Sequence, residues 1–231
     1  PQQQTAVQLK QKVTTNEVES NKSSQQLIAL NIQFYDPKEF LNSVNQSVSV
    51  PFFKLCQLFL DKSIDLCVKH YQLDPTVIQV DQIFNAEGAT LSTMGEQENA
   101  LECLMMIGAV FQLLSDVLYK RYREDKRFAL QTRGAVASAV EAMQLDAIES
   151  AKRLTQHLSA KEAALHLNHD QLKLIQNCYD LVAMPNPSNI MTRHAFMIHG
   201  MNEDCAKLAQ NLRTEILMGK KAKVATDTST L

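Results

Sequence analysis

No proline interrupts the chain between Pro75 and Pro185, and across that interval apolar residues recur at spacings of three and four. Those spacings line one face of a 3.6-residue helix, and an interval free of breakers lets several helices follow one another. Glu96 to Arg123 is apolar on nearly all sides through LECLMMIGAVFQLL, the pattern of a central helix wrapped by others. Lys126 to Leu158 carries Val136, Val140, Met143, Ala147, Ala151, Leu154 and Leu158 on one stripe, with alanines that admit a close neighbour. With only 6 Gly, 6 Pro and no Trp, the chain lacks the turn formers of a sandwich or barrel. The pattern predicts an all-α protein, an irregular multi-helix bundle built as one body or as two helical subdomains.

Residues 1–24 are rich in Gln, Thr, Asn and Ser with scattered apolar positions, which predicts a flexible N-terminal arm. An N-terminal helical unit is expected over 25–87. It contains short helices at 25–34 and 38–46, a longer one from Val50 to Leu73, and an extended connector or short helix at Thr76–Val80. Gly88 to Gly95, GATLSTMG, reads as a linker loop, and 96–218 as a C-terminal helical bundle. Within that bundle Ser159-Ala-Lys-Glu162 matches a capping box, Met184 to Ser188 breaks the chain, and a last helical pair hinges at Gly200. The tail 219–231 lacks an apolar period and is expected to fray.

At 45% hydrophobic residues the chain can bury a substantial core, and a formal net charge of -2 leaves no global field to draw it onto nucleic acid or anionic lipid. Residues 1–24 show no signal-peptide stretch. The most apolar run, Leu104 to Leu114, is interrupted by Gln112 and falls short of the roughly 20 residues that span a bilayer. Cys56, Cys67, Cys103, Cys178 and Cys205 are odd in number and set among apolar residues, so reduced core thiols of a reducing compartment are expected.

Candidate chemistry is sparse. His166 and His169 stand three apart beside Asp170, but a structural zinc wants four ligands and no paired CxxC or HxxxH accompanies them. His194 and His199 are five apart and off a common helical face. Gly88 to Gly95 lacks the Lys-Ser/Thr of a phosphate-binding loop. The densest charge run contains Lys120, Arg121, Arg123, Lys126 and Arg127, which either complement a helix C-terminus or form a patch for an acidic partner. Ser229-Thr230-Leu231 is short enough to arise by chance as a docking peptide.

These readings predict no catalytic residues, no cofactor and no metal, and other proteins rather than nucleic acid as partners. A non-catalytic helical adaptor or accessory subunit of a larger assembly fits best. In its leucine-, glutamine- and methionine-rich helices and polar ends the chain resembles accessory proteins of the Dot/Icm type IV secretion coupling complex, a likeness of texture rather than of a motif. That resemblance implies a bacterial cytoplasmic subunit, at the inner face of a membrane complex, that helps recruit effector proteins. Two alternatives stay open: a translocated bacterial effector, and an enzyme or metalloprotein with an unrecognised helical site around His157, His166 and His169.

Overall fold

In Leu27–Tyr35, sequence LIALNIQFY, the residues Ile28, Leu30, Ile32 and Phe34 alternate with Ala29, Asn31 and Gln33. Alternation with a period of two sends neighbouring side chains to opposite faces of a strand, and this segment is a strand rather than the expected helix. The computed structural model describes residues 26–95, 97–126 and 128–219. Its strands are β1 (Leu27–Tyr35), β2 (Gln79–Asn85), β3 (Gly88–Met94), β4 (Gln131–Ser138), β5 (Ala163–His166), β6 (Tyr179–Ala183) and β7 (Phe196–Met201). The helices are α1 (Phe40–Ser43), α2 (Gln46–His70), α3 (Ala100–Lys126), α4 (Ala147–Gln156), α5 (His169–Ile175), α6 (Ile190–Arg193) and α7 (Glu203–Met218).

The strands form one 7-stranded sheet in the order β2-β3-β1-β4-β5-β7-β6. β1 pairs antiparallel with β3 on one side and β4 on the other, with Asn31 opposite Thr90 and Ala135. The unit β1-α2-β2-β3-α3-β4 has the βαββαβ order of a ferredoxin-like fold. β4 then crosses through α4 to the parallel β5, a connection that needs a helix's length to return the chain in the same direction.

Each face of the sheet is covered by helices, and the alternation in β1 and β4 decides what each face offers. Ile28, Leu30, Ile32, Phe34 and Val136 join α2, α3 and α7 in the main core, around Leu104, Ile107 and Leu114 of α3. On the other face Ala29 and Ala137 meet Ala147 and Ala151 of α4, so small side chains let that helix lie close to the sheet. Asp146 starts α4 by accepting the Glu149 N–H, and Asn202 starts α7 by accepting the Cys205 N–H. By length and composition α3 could cross a membrane, but most of that apolar stretch is buried inside the fold.

The all-α expectation is therefore corrected to a mixed α/β sheet. α2, α3 and α7 occupy segments where helices were expected, but the helix expected over Lys126 to Leu158 is divided into β4 and the shorter α4. Strands buried on both faces read as continuous apolar runs, which a helical period also accommodates. Residues 88–95, expected as a linker, hold β3, whose residues from Gly88 to Thr93 are all buried. The sheet runs through both of the expected helical units, joining 25–87 to 96–218. The expected arm 1–24 and the tail beyond Gly219 lie outside the described residues.

Cys178 and Cys205 are joined in a disulfide that ties the start of β6 to the first turn of α7, a correction to the expectation of five free thiols. Cys56, Cys67 and Cys103 are free and buried. Replacing Cys205 with Ser should lower unfolding stability by about 2–4 kcal/mol, measured by urea denaturation without reductant, and added reductant should bring the wild type down to the variant. At Gly88 the φ is +94° and a Cβ would run into the Ile32 carbonyl oxygen. Gly88→Ala should therefore cost at least about 1–3 kcal/mol in the same measurement.

Candidate functional site

Three elements converge on the α4 face of the sheet: the C-terminal end of β1, the turn between β2 and β3, and the exposed side of α4. The turn Asn85-Ala86-Glu87-Gly88 is tightened by the Asn85 side chain, whose Oδ1 accepts the Glu87 N–H at 2.7 Å. Between them lies a cleft of about 610 Å³ lined by Gln33, Glu87, Glu149, Lys152, Arg153 and Gln156, with Phe34 and Ala86. That volume falls in the range of small-molecule sites.

The polar side chains are cross-braced. Lys152 Nζ donates to Gln82 Oε1 at 3.1 Å, and Gln33 Nε2 donates to the Lys152 carbonyl at 3.3 Å. Arg153 Nε and Glu149 Oε1 form an i,i+4 ion pair at 2.8 Å, about half exposed on both sides. Beside the cleft, Arg133 of β4 donates through one guanidinium nitrogen to the carbonyls of Gln156 and Leu158. Its guanidinium also lies 5.6 Å from the centre of the Tyr35 ring. Burial pulls the Arg133 pKa below its ordinary value, with a weaker opposing influence from Tyr35. Arg133 Nε is buried without a hydrogen-bond partner.

Beneath α4 the sheet carries a polar seam. Asn31 Nδ2 donates to the Ala89 carbonyl and to Thr90 Oγ1, while Thr155 Oγ1 donates to the Asn31 carbonyl. Asn31 Oδ1, Ser92 Oγ and Ser150 Oγ are buried without partners. A cleft of this kind can bind an anionic ligand through Lys152 and Arg153, with Glu87 and Glu149 available to accept from hydroxyl or amino groups.

The residues singled out from sequence lie elsewhere. His166 is on β5 and His169 begins α5, while Asp170 is exposed and pairs with Lys173 at 3.0 Å. His157 caps the C-terminus of α4, His194 that of α6, and His199 is on β7. Among the described residues no three His, Cys, Asp or Glu side chains come together to hold a metal. The alternative of a helical site around His157, His166 and His169 loses its premise, because His166 sits on a strand. Burial pushes the pKa values of Cys56 and Cys67 strongly up and that of Cys103 up to about 12, which leaves them protonated and inert. Lys120, Arg121 and Arg123 are exposed on the last turns of α3, and the Arg123 guanidinium lies 5.9 Å from the Tyr119 ring centre. The Lys126 side chain and Arg127 lie outside the described residues.

Sequence reasoning missed Gln33, Glu87, Glu149, Lys152 and Arg153. The alternation in β1 and the Asn-Ala-Glu-Gly turn were the available signals, and both are hairpin and strand cues rather than catalytic motifs.

No family model and no curated relative matches the chain. Solved structures do. The adenylyl cyclase CyaB from P. aeruginosa matches with a TM-score of 0.55 at 10% identity, over 78% of this chain and 96% of that one. The guanylate cyclase domain of RhGC from Catenaria anguillulae in complex with GTP matches with a TM-score of 0.52 at 9% identity, over 77% of this chain and 98% of that one. The catalytic core of a rhodopsin-guanylyl cyclase in complex with ATPalphaS gives a TM-score of 0.51 at 9% identity, over 77% and 98%. At such identity the likeness shows the fold. It also overturns the expected helical adaptor: the described residues form a mixed α/β sheet rather than an all-helical bundle, and the solved structures that share this fold are cyclases by description.

One titration follows from the geometry. His166 Nδ1 is buried without a partner, and burial holds its pKa below the ordinary 6.5 against an opposing backbone hydrogen bond, with a smaller downward push from His194. The unfolded chain takes up this proton more readily than the folded one, so stability is lost as pH falls below about 6.5. Thermal melts at pH 7.5 and 5.5 should show a smaller acid-induced drop in Tm for His166→Leu than for the wild type.

Proposed function

We propose that this chain is a nucleotide-cyclase-type domain that takes a nucleoside triphosphate in the α4 cleft and works together with a second protein chain. The observation that carries this reading is the convergence of Lys152, Arg153, Glu87 and Glu149 beside the end of β1, in a fold whose solved examples include cyclase structures with GTP and ATPalphaS bound. Fold likeness supplies the reaction class by analogy, and the two cationic side chains of the cleft supply groups that can meet phosphate oxygens.

Cyclising a nucleoside triphosphate joins the ribose 3′-oxygen to the α-phosphorus, passes the hydroxyl proton to water or a base, and breaks the bond from the α-phosphorus to its bridging oxygen, so the negative charge that builds on the departing pyrophosphate must be neutralised. Lys152 and Arg153 are placed to meet phosphate oxygens from one helix face. Divalent cations commonly share this work, held by carboxylates. Here Glu149 is paired with Arg153 and Glu87 is the other carboxylate lining the cleft, with no group of three metal-ligating residues among those described. The described residues of one chain do not fit a divalent-cation site. A second chain bringing further charged groups to the open side of the cleft would complete what a single chain lacks.

The test is nucleotide binding by calorimetry with ATP and with GTP, alongside an assay for cyclic nucleotide over a range of protein concentration. The double variant Lys152→Ala, Arg153→Ala should bind about ten-fold more weakly or worse with an unchanged circular dichroism spectrum. Turnover should rise more steeply than linearly with protein concentration. Failure of both nucleotides to bind at millimolar concentration, or unchanged binding by the double variant, removes the reading.

A further inference from the structure

The opposite face of the sheet holds a second concavity, between β1, β4, β5 and β7 on one side and α3 and α7 on the other. Its volume is about 440 Å³, within the range of small-molecule sites. Protein interiors are otherwise packed to crystal density, so a space of this size needs a cause. The cause is a set of small residues that leave the gap unfilled: Gly108 and Ala109 on α3, Gly134 on β4, Gly200 on β7 and Ala206 on α7. A Cβ added at Gly200 would meet nothing within 4 Å, whereas one at Gly108 would touch Leu30 Cδ2 at 3.4 Å.

Most of the wall is aliphatic, from Leu30, Ile32, Met105, Val136 and Ile198. Lys161 is the lining residue whose charge the cavity can use, since the Arg133 guanidinium turns to the Gln156 and Leu158 carbonyls on the α4 side, and no Asp or Glu is among the lining residues. Lys161 Nζ is paired with Asp116 at 3.1 Å, and both side chains are partly exposed. Such a pair contributes little to stability, so an incoming anion can share the ammonium group at small cost.

We infer that this cavity binds a single-chain amphiphile of the fatty-acid class, with its carboxylate at Lys161 and its hydrocarbon among Leu30, Ile32, Met105 and Val136. An apolar chain suits the aliphatic wall, and the absence of lining carboxylates together with the lysine at the rim selects a negative head over a positive or neutral one. The site is independent of the nucleotide reading, since it lies across the sheet from the α4 cleft. The two are nevertheless joined through β1, where Leu30 and Ile32 face the cavity and Gln33 lines the cleft.

Laurate, kept below its micellar concentration, is the probe, with dodecanol as the neutral counterpart. Calorimetry on the full chain should show one laurate per chain, a concentration-dependent rise in Tm, and binding at least several-fold tighter than that of dodecanol. Gly200→Leu places a side chain in the open space and should weaken laurate ten-fold or more. Lys161→Gln should bring laurate down to the level of dodecanol while leaving dodecanol unchanged. Absence of laurate binding to the wild type overturns the site, as does undiminished binding to a Gly200→Leu variant with a native circular dichroism spectrum. Equal binding of laurate and dodecanol to the wild type overturns the anionic head, whichever variants fold.

Discussion

β1 is hydrogen-bonded along both edges and covered on both faces, and the rest of the structure is arranged by that double burial. A strand so placed must satisfy its backbone through β3 and β4 and can vary only in what its side chains offer to each side. Ile28, Leu30, Ile32 and Phe34 commit one face to the helices of the main core. Ala29 gives the other face a flat approach for α4, and Asn31 spans to β3 through its amide. The greasy face and the polar face are thereby kept one peptide apart. Any chemistry of the α4 cleft is held against a wall that cannot move without disturbing the apolar core.

The remaining architecture follows from how little room each face leaves. On the α4 side the contact is made by alanines, Ala29 and Ala137 from the sheet with Ala147 and Ala151 from the helix, so the polar groups of α4 are delivered close to the end of β1. Lys152 then reaches β2, where its ammonium group donates to Gln82, while Gln33 donates to the lysine's carbonyl. On the other side α3 is buried along most of its length, yet Gly108, Ala109 and Ala206 leave a gap between helix and sheet. A close helix on one face and a spaced one on the other produce two concavities with opposite character.

Legibility differed by element for physical reasons. α3 and α7 were visible because the helical period survives when one stripe of a helix is buried, and LECLMMIGAVFQLL is apolar enough to need a central position. β3 and β4 were hidden because strands buried on both faces lose their alternation, and GATLSTM and QTRGAVAS contain glycine and small polar residues that read as loop or as helix. The candidate cleft was hidden for a related reason. Gln33, Glu87 and Lys152 are ordinary surface residue types far apart in the chain, and only strand pairing and the seating of α4 bring them together. Cys178 and Cys205 were readable as apolar-stripe thiols but not as a pair, since their approach depends on β6 pairing with β7 and returning into α7.

By itself the sequence determined that a large apolar core must form around the helix within Glu96 to Arg123, that cysteines would lie in apolar surroundings, as Cys56, Cys67 and Cys103 do, and that helices would occupy α2, α3 and α7. These are local properties, carried by composition and by the 3.6-residue period within single segments. Tertiary structure alone decided that seven segments pair into a sheet, that each side of it carries a concavity of its own, and that six scattered charged and amide side chains share a cleft. Pairing between strands and the approach of a helix to a sheet are long-range choices, made by the satisfaction of backbone groups and the fit of small residues, and a window of sequence carries neither.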